Sequence, residues 1–267
     1  MPFVESAGAR IHWESEGDGT PVLLIMGHVL SSRMWRPLLP ALTRQHRAIR
    51  FDNRGAGQSE TTRDASIGQF AADALAVLDA AGAGRAHVYG VSLGGAVAAE
   101  FAMRYPDRVA SLVLGCTMMK TALGSGAPWI ARLIYYLPLG LVRAVLRRNR
   151  AGYGSAAPAD AVDADLKALA GERFTMAGAR AQAAAMANYA TTPEAVGRLA
   201  MPTLVLHGDE DRTVDVKHGR DLAAAIPGSR LVVFEGAGHN YLVAAGPAST
   251  AAVLDFFAEV DGAPSGA

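Results

Sequence analysis

The chain has 267 residues, enough for one large domain or for a core domain that carries an insertion. Lys and Arg total 25, as do Asp and Glu, so the formal net charge is zero. This balance argues against a nucleic-acid-binding protein and against charge-driven binding to membranes. The single cysteine, Cys116, excludes an internal disulfide and is expected to be a small buried apolar residue. With no signal-like N-terminus, we expect a cytoplasmic protein.

Predicted strands alternate with predicted helices over most of the chain. The strand segments are continuous apolar or β-branched runs, and the helical segments repeat apolar residues at helical spacing. The predicted strands are 3–16 (two short antiparallel strands around Gly8), 21–26, 48–52, 86–89, 109–114, 203–207 and 230–234. The predicted helices are 31–42, 66–82, 93–105, 216–226 and about 247–260, with a loose tail at 261–267. This alternation predicts an α/β fold with a mostly parallel sheet and helices on both faces.

Residues 117–200 interrupt the alternation. More than eighty residues lack a strand pattern, and alanine, leucine and methionine dominate, so we expect an all-helical insertion. The core domain would then comprise residues 1–116 and 201–267. The most apolar run of the insertion, 129–146, contains Arg132, Pro138 and Arg143, which argues against a membrane span.

A G-x-S-x-G pattern stands at residues 90–94, between a predicted strand and a predicted helix. A serine on a sharp strand-to-helix turn exposes its hydroxyl, and glycines two residues before and after it avoid collisions with neighbouring backbone. Ser92 is therefore a candidate nucleophile. An ordinary strand-to-helix turn with Ser92 as a helix cap is the alternative.

A serine hydroxyl needs a base and a carboxylate that orients the base. His239 follows the last predicted strand in a glycine-containing loop, and Asp211 follows the strand before it. The order Ser92, Asp211, His239 is typical of a hydrolase built on this turn. The other histidines lack metal-ligand spacing, and no glycine loop matches a phosphate or dinucleotide site, so we expect neither metal nor cofactor.

These motifs, together with the run Asp52-Asn53-Arg54-Gly55-Ala56-Gly57-Gln58-Ser59, resemble the α/β-hydrolase fold family of esterases, lactonases, perhydrolases and C–C bond hydrolases. The resemblance covers about 3–116 and 201–260. It implies an eight-stranded type of sheet and assigns the acid to the third residue after Gly208, which is Asp211, with Asp209 as the fallback. It also implies that the insertion is a helical lid.

The oxyanion formed by an attacked carbonyl needs preorganised donors. The strand-to-helix turn supplies the backbone N–H of Leu93, and the resemblance implies the N–H of His28 as the second donor. The sequence departs from the commoner family pattern, which has a histidine directly before Gly27. The imidazole of His28 could contact substrate or hydrogen-bond to backbone, and we favour the second.

The sequence therefore predicts a cofactor-free serine hydrolase for a carboxylic ester or lactone of a fairly apolar small molecule. The same residues could serve C–C bond hydrolysis, thioester hydrolysis or a lyase reaction. A ligand-binding protein that keeps the fold but does little catalysis is the alternative from another class. The sequence leaves open whether the protein forms a homodimer.

Overall fold

A computed structural model of the protein describes residues 2–62, 65–119, 140–141 and 150–262. Its strands are β1 (Phe3–Ser6), β2 (Ala9–Glu16), β3 (Thr20–Ile25), β4 (His46–Phe51), β5 (Ala86–Val91), β6 (Val109–Gly115), β7 (Thr203–Gly208) and β8 (Arg230–Phe234). They form one sheet in the order β1-β2-β4-β3-β5-β6-β7-β8. β2 is antiparallel to β1 and β4, and the remaining neighbours are parallel. The predicted fold class is confirmed.

The helices of the described residues follow the strands as predicted. They are α1 (Leu39–Leu42), α2 (Ile67–Ala80), α3 (Leu93–Arg104), α4 (Ala159–Leu169), α5 (Met176–Ala187), α6 (Pro193–Val196), α7 (Val216–Ala225), α8 (Tyr241–Ala244) and α9 (Gly246–Gly262). The predicted helix 31–42 is instead a 3₁₀ turn, Ser32–Trp35, followed by α1. Pro37 and Pro40 lack the N–H groups that a continuous helix would need there. The helix α9 continues to Gly262, past the predicted end at 260.

Two apolar layers enclose the sheet. Along β3, Leu23 and Ile25 face one layer, while Val22 and Leu24 face the other. The first layer contains the apolar faces of α2, α3 and α7, and the second contains α1 and α9. Because alternate residues of a strand point to opposite faces, a continuous apolar run places β3 in the centre of the sheet.

The described part of the insertion, residues 150–200, contains the helices α4, α5 and α6. One isolated bridge, between Ala56 and Phe174, joins it to the loop after β4. Most of the apolar run 129–146 lies outside the described residues. Among those that are described, no helix has the length and apolar character needed to cross a bilayer.

The carboxyl ends of the parallel strands meet at one edge of the sheet, where α/β proteins bind their ligands. The segment Gly27-His28 lies just beyond β3, and Ser92 directly follows β5. Asp211 follows β7, and His239 follows β8. The topology therefore brings the four predicted site segments to the same edge.

Candidate active site

Ser92 lies between β5 and α3 with φ 55° and ψ −120°, in the region that L-residues rarely occupy. The flanking glycines explain how the chain makes this turn. A Cβ on Gly90 would lie 2.0 Å from the carbonyl oxygen of Gly94, and a Cβ on Gly94 would lie 2.0 Å from the carbonyl oxygen of Ile25. Larger residues at either position would push the helix away from the sheet.

The structure brings Ser92, His239 and Asp211 together in one hydrogen-bonded row. Nε2 of His239 lies 3.1 Å from Oγ of Ser92, and Nδ1 lies 2.7 Å from Oδ2 of Asp211. A carboxylate only accepts, so Nδ1 carries a proton, and in the neutral imidazole Nε2 then offers its lone pair to the serine hydroxyl. This is the arrangement in which an imidazole can accept the proton of a serine.

Asp211 is buried at the end of β7 and is held by several donors. Its Oδ1 accepts from the N–H groups of Thr213 and Val214, both at 2.8 Å. Its Oδ2 lies 3.3 Å from Nε2 of His207. Burial raises the pKa of the Asp211 carboxyl, but the contacts with His207 and His239 and the Val214 N–H lower it more. The net pKa lies well below its usual range, so Asp211 is ionised at neutral pH.

Asp209, the fallback acid, occupies a different position. It is exposed, and its Oδ1 accepts from the backbone N–H of Gly236 at 2.7 Å. This bond ties the loop after β7 to the loop after β8. Asp211, and not Asp209, contacts His239.

Cys116 lies beside the acid and base, a position that its apolar surroundings in sequence did not indicate. It is buried as expected, and its sulfur lies within 4.8 Å of ligand atoms of both Asp211 and His239. Burial lowers the pKa of the His239 imidazole, while the Cys116 sulfur and the Asp211 carboxylate raise it. The net effect raises the pKa above its usual value.

The loop after β3 passes close to Ser92. A Cβ on Gly27 would lie 3.3 Å from Cβ of Ser92, so the glycine lets the backbone of this loop approach the hydroxyl. Leu93 is the first residue of α3, and its N–H therefore has no partner within the helix. Of the two predicted donor residues, Leu93 directly follows Ser92, and His28 directly follows the glycine that packs against Ser92.

The imidazole of His28 contacts the insertion. Its Nε2 lies 3.0 Å from the carbonyl oxygen of Ala179, in α5. Because a carbonyl only accepts, this nitrogen carries a proton. Burial lowers the pKa of the His28 imidazole, and the bond to Ala179 opposes this effect without cancelling it. His28 is therefore neutral at pH 7 and bound to backbone.

The loop that carries His239 rests against the start of the described insertion. The N–H of Gly238 donates to the carbonyl of Tyr153, and the N–H of Asn240 donates to that of Gly152, both at 2.8 Å. Gly154 has φ +82°, and a Cβ there would lie 2.3 Å from the carbonyl oxygen of Gly236. Close backbone packing thus fixes the path of the loop on both sides of His239.

Another polar cluster lies at the opposite edge of the sheet. Asp261 of α9 lies 3.1 Å from Nε2 of His87 and 3.5 Å from Nε2 of His46. Nδ1 of His87 lies 2.7 Å from Oγ of Ser111. Sequence spacing did not reveal this cluster, because its members come from four separate elements, β4, β5, β6 and α9. These contacts hold α9 against the sheet, and this structural role explains the cluster.

Known proteins resemble this chain along most of its length. The chain is 32% identical to the RutD protein of Variovorax paradoxus (strain S110), which has been proposed to hydrolyse carbamates, over 94% of this chain and 97% of that protein. It is 39% identical to RutD of Azorhizobium caulinodans, over 43% of each chain. Among solved structures, the enol-lactonase from Burkholderia xenovorans LB400 superposes with a TM-score of 0.84 and 26% identity, covering 96% of this chain and 100% of that chain.

The sequence profile of the alpha/beta hydrolase fold matches residues 20–151 and 170–243, which is well over half of the chain. The same residues include β3 to β8 and the loops that carry Ser92, Asp211 and His239. The resemblance seen in the sequence and the prediction of a hydrolase are confirmed, and the chain belongs to the alpha/beta hydrolase fold family.

Proposed function

We propose that the protein is a cofactor-free serine hydrolase that cleaves a carboxylic ester or lactone of a fairly apolar small molecule. One observation carries the proposal: His239 bridges Oγ of Ser92, at 3.1 Å, and the buried carboxylate of Asp211, at 2.7 Å. The proposal assigns Ser92 as nucleophile, His239 as general base and acid, and Asp211 as the residue that orients His239.

In the first half of the reaction, Oγ of Ser92 attacks the substrate carbonyl carbon while its proton passes to Nε2 of His239. The carbonyl π electrons move onto oxygen, and the N–H groups of Leu93 and His28 donate to the oxyanion. Collapse of this intermediate breaks the carbon–oxygen bond. Nε2–H of His239 then gives its proton to the leaving oxygen, so an acyl-enzyme remains.

In the second half, water attacks the acyl carbon and gives one proton to His239. As the second intermediate collapses, the bond between the acyl carbon and Oγ breaks, and His239 returns that proton to Oγ of Ser92 as the acid departs. Asp211 stays ionised throughout, which the direction of its pKa supports. In a lactone the leaving oxygen belongs to the acid itself, so one ring-opened product forms.

Ester or lactone specificity is supported by the likeness to the enol-lactonase structure, and the apolar substrate by the composition of the insertion. We further propose that the insertion 117–200 acts as a lid, since its described part contacts the loops that carry His28 and His239. The similarity to RutD favours carbamates as a second candidate class, because their carbonyl undergoes the same attack.

The test is a time course of product release from short and bulky esters, lactones, thioesters and carbamates, with the wild type and Ser92→Ala in parallel. We expect Ser92→Ala to lower kcat by about four to six orders of magnitude. Thermal unfolding of both proteins checks that the fold survives.

A fluorophosphonate probe supplies an independent readout. It should add one covalent label to the wild type on the peptide that contains Ser92, and none to Ser92→Ala. Unlabelled wild type, or a loss of activity below tenfold in Ser92→Ala, would exclude Ser92 as the nucleophile. If the wild type is labelled at Ser92 but hydrolyses no substrate of the panel, substrates that require cleavage of a C–C bond should be tested next.

A further inference from the structure

Val29, one residue after the predicted oxyanion donor His28, has φ +58°. A β-branched side chain is strongly disfavoured in this region, because its branches collide with the backbone. Such a conformation persists only where the surrounding contacts enforce it. The cause must therefore lie in the bonds that the loop between β3 and the 3₁₀ turn makes with the rest of the molecule.

Gln182 of α5 makes the bond that restrains Val29. Its Oε1 accepts from the backbone N–H of Val29 at 2.7 Å, and its Nε2 donates to the backbone carbonyl of Arg54 at 2.7 Å. The side chain is fully buried. The two partners fix which end of the amide faces which loop, because a flipped amide would set a donor against the N–H of Val29. Gln182 therefore joins the loop after β3 to the loop after β4 through two hydrogen bonds.

Neighbouring bonds restrain the rest of this loop. The N–H of Ser31 donates to Glu172 at 2.6 Å, and the N–H of Ser32 donates to Asp52 at 2.7 Å. Against this background, Gln182 fixes the peptide plane between His28 and Val29. That plane adjoins the one that carries the His28 N–H, so the orientation of the donor depends on it.

We infer that Gln182 is a positioning residue for the oxyanion hole: it holds Val29 in its strained conformation and thereby aims the N–H of His28 at the oxyanion. This inference rests on the proposed function and deepens it. The insertion would then do more than cover the site, since one of its helices sets the geometry of a transition-state donor located on the core.

Gln182→Met tests the inference, because methionine fills a similar volume but can form neither of the two hydrogen bonds. Thr175→Ala is the matched control. Oγ1 of Thr175 accepts from the N–H of Gly178 at 2.9 Å and caps the same helix, so its loss weakens α5 without removing the bond to Val29. Each variant is assayed for kcat, for KM and for inhibition by a trifluoromethyl ketone, which forms a tetrahedral oxyanion adduct with the serine.

For Gln182→Met we expect kcat to fall by about 10- to 100-fold, less than complete loss of one oxyanion donor, while KM changes by less than about threefold. The affinity for the trifluoromethyl ketone should fall by a similar factor. Thr175→Ala should keep both values within about twofold of wild type, because its effect is confined to the helix terminus. A wild-type kcat in Gln182→Met, or equal losses in both variants, would overturn the inference.

Gln182→Glu keeps the inference testable if Gln182→Met does not fold. Burial raises the pKa of a carboxyl group, and a protonated glutamic acid offers the same acceptor and donor as glutamine. At low pH we expect the kcat of Gln182→Glu to be close to that of the wild type. As pH rises, its kcat should fall relative to the kcat of the wild type at the same pH. A profile parallel to that of wild type would count against the inference. Ser92→Ala, assayed on the same substrate, distinguishes failure of this inference from failure of the proposed function. If Ser92→Ala stays active, the proposed function is wrong.

Discussion

At the scale of single residues, the site depends on two carboxylates that are two positions apart in sequence but differ in environment. Asp211 is buried, accepts two backbone N–H groups and contacts His239. Asp209 is exposed, and its Oδ1 accepts from the backbone N–H of Gly236 in the loop that carries His239. Only the first carboxylate can fix the tautomer of the imidazole and stabilise its cation.

We therefore expect Asp211→Asn to lower kcat by about ten-thousand-fold, because an amide lets the imidazole take the wrong tautomer. Asp209→Asn keeps an acceptor oxygen for the N–H of Gly236 and should stay within about threefold of wild type. Steady-state kinetics of both variants on one ester measures the difference. If Asp209→Asn were the more damaging change, the acid would have to be reassigned.

At the scale of elements, the turn between β5 and α3 depends on how closely the helix approaches the sheet. Gly94 faces the end of β3, where a Cβ would meet the carbonyl oxygen of Ile25 at 2.0 Å. Backbone cannot yield as a side chain can, so the helix itself would have to move. Thr117 adds a bond from its Oγ1 to the carbonyl of Ser92 at 2.8 Å.

Gly94→Ala is expected to lower the free energy of unfolding by about 3 kcal/mol or more, since it forces a methyl group into packed backbone. Gly84→Ala is the control: a Cβ there meets nothing within 4 Å, and the expected change is within about 0.5 kcal/mol. Urea denaturation of both variants gives the comparison. Equal stabilities would show that the turn tolerates displacement of α3.

At the scale of the whole molecule, Arg54 links three parts of the chain. Its guanidinium forms a two-pronged pair with Asp73 of α2, at 2.6 and 2.7 Å, and also donates to the carbonyl of Ser6 at 2.5 Å. The side chains of Arg54 and Asp73 are almost fully buried. The backbone carbonyl of Arg54 accepts from Gln182. One residue thus connects the N-terminal strands, a helix of the core and the insertion.

Asp73→Asn should lower the free energy of unfolding by about 3 kcal/mol or more, because it leaves the guanidinium buried without its counter-charge. Asp79→Asn, on the same helix, breaks an exposed pair with Arg108 and should cost less than about 1 kcal/mol. Chemical denaturation at neutral pH measures both. If Asp73→Asn lowers the free energy of unfolding no more than Asp79→Asn does, solvent must reach the guanidinium of Arg54 and compensate its charge.

The sequence by itself determined the features that depend on local chemistry. Apolar runs and helical spacing predicted the sheet and its helices. Ser66, a residue type that favours the start of a helix, caps α2 and accepts from the N–H of Gln69 at 3.1 Å. Gly82 ends that helix with φ +66°. A contact within the turn, with the carbonyl of Gly94, explains Gly90, whereas Gly94 itself is required by a contact with Ile25 of β3. Strand order along the chain was enough to predict that Asp211 and His239 would reach the same edge.

Only the tertiary structure decided which distant groups complete the site. Cys116 lies beside Asp211 because β6 and β7 are neighbours, and no motif marks it. Gln182 meets Val29 across 153 positions of sequence. Such contacts depend on how helices pack on loops, which side-chain spacing along one segment does not encode. The sequence could therefore predict the reacting groups, whereas the contacts that position them arise only when the chain has folded.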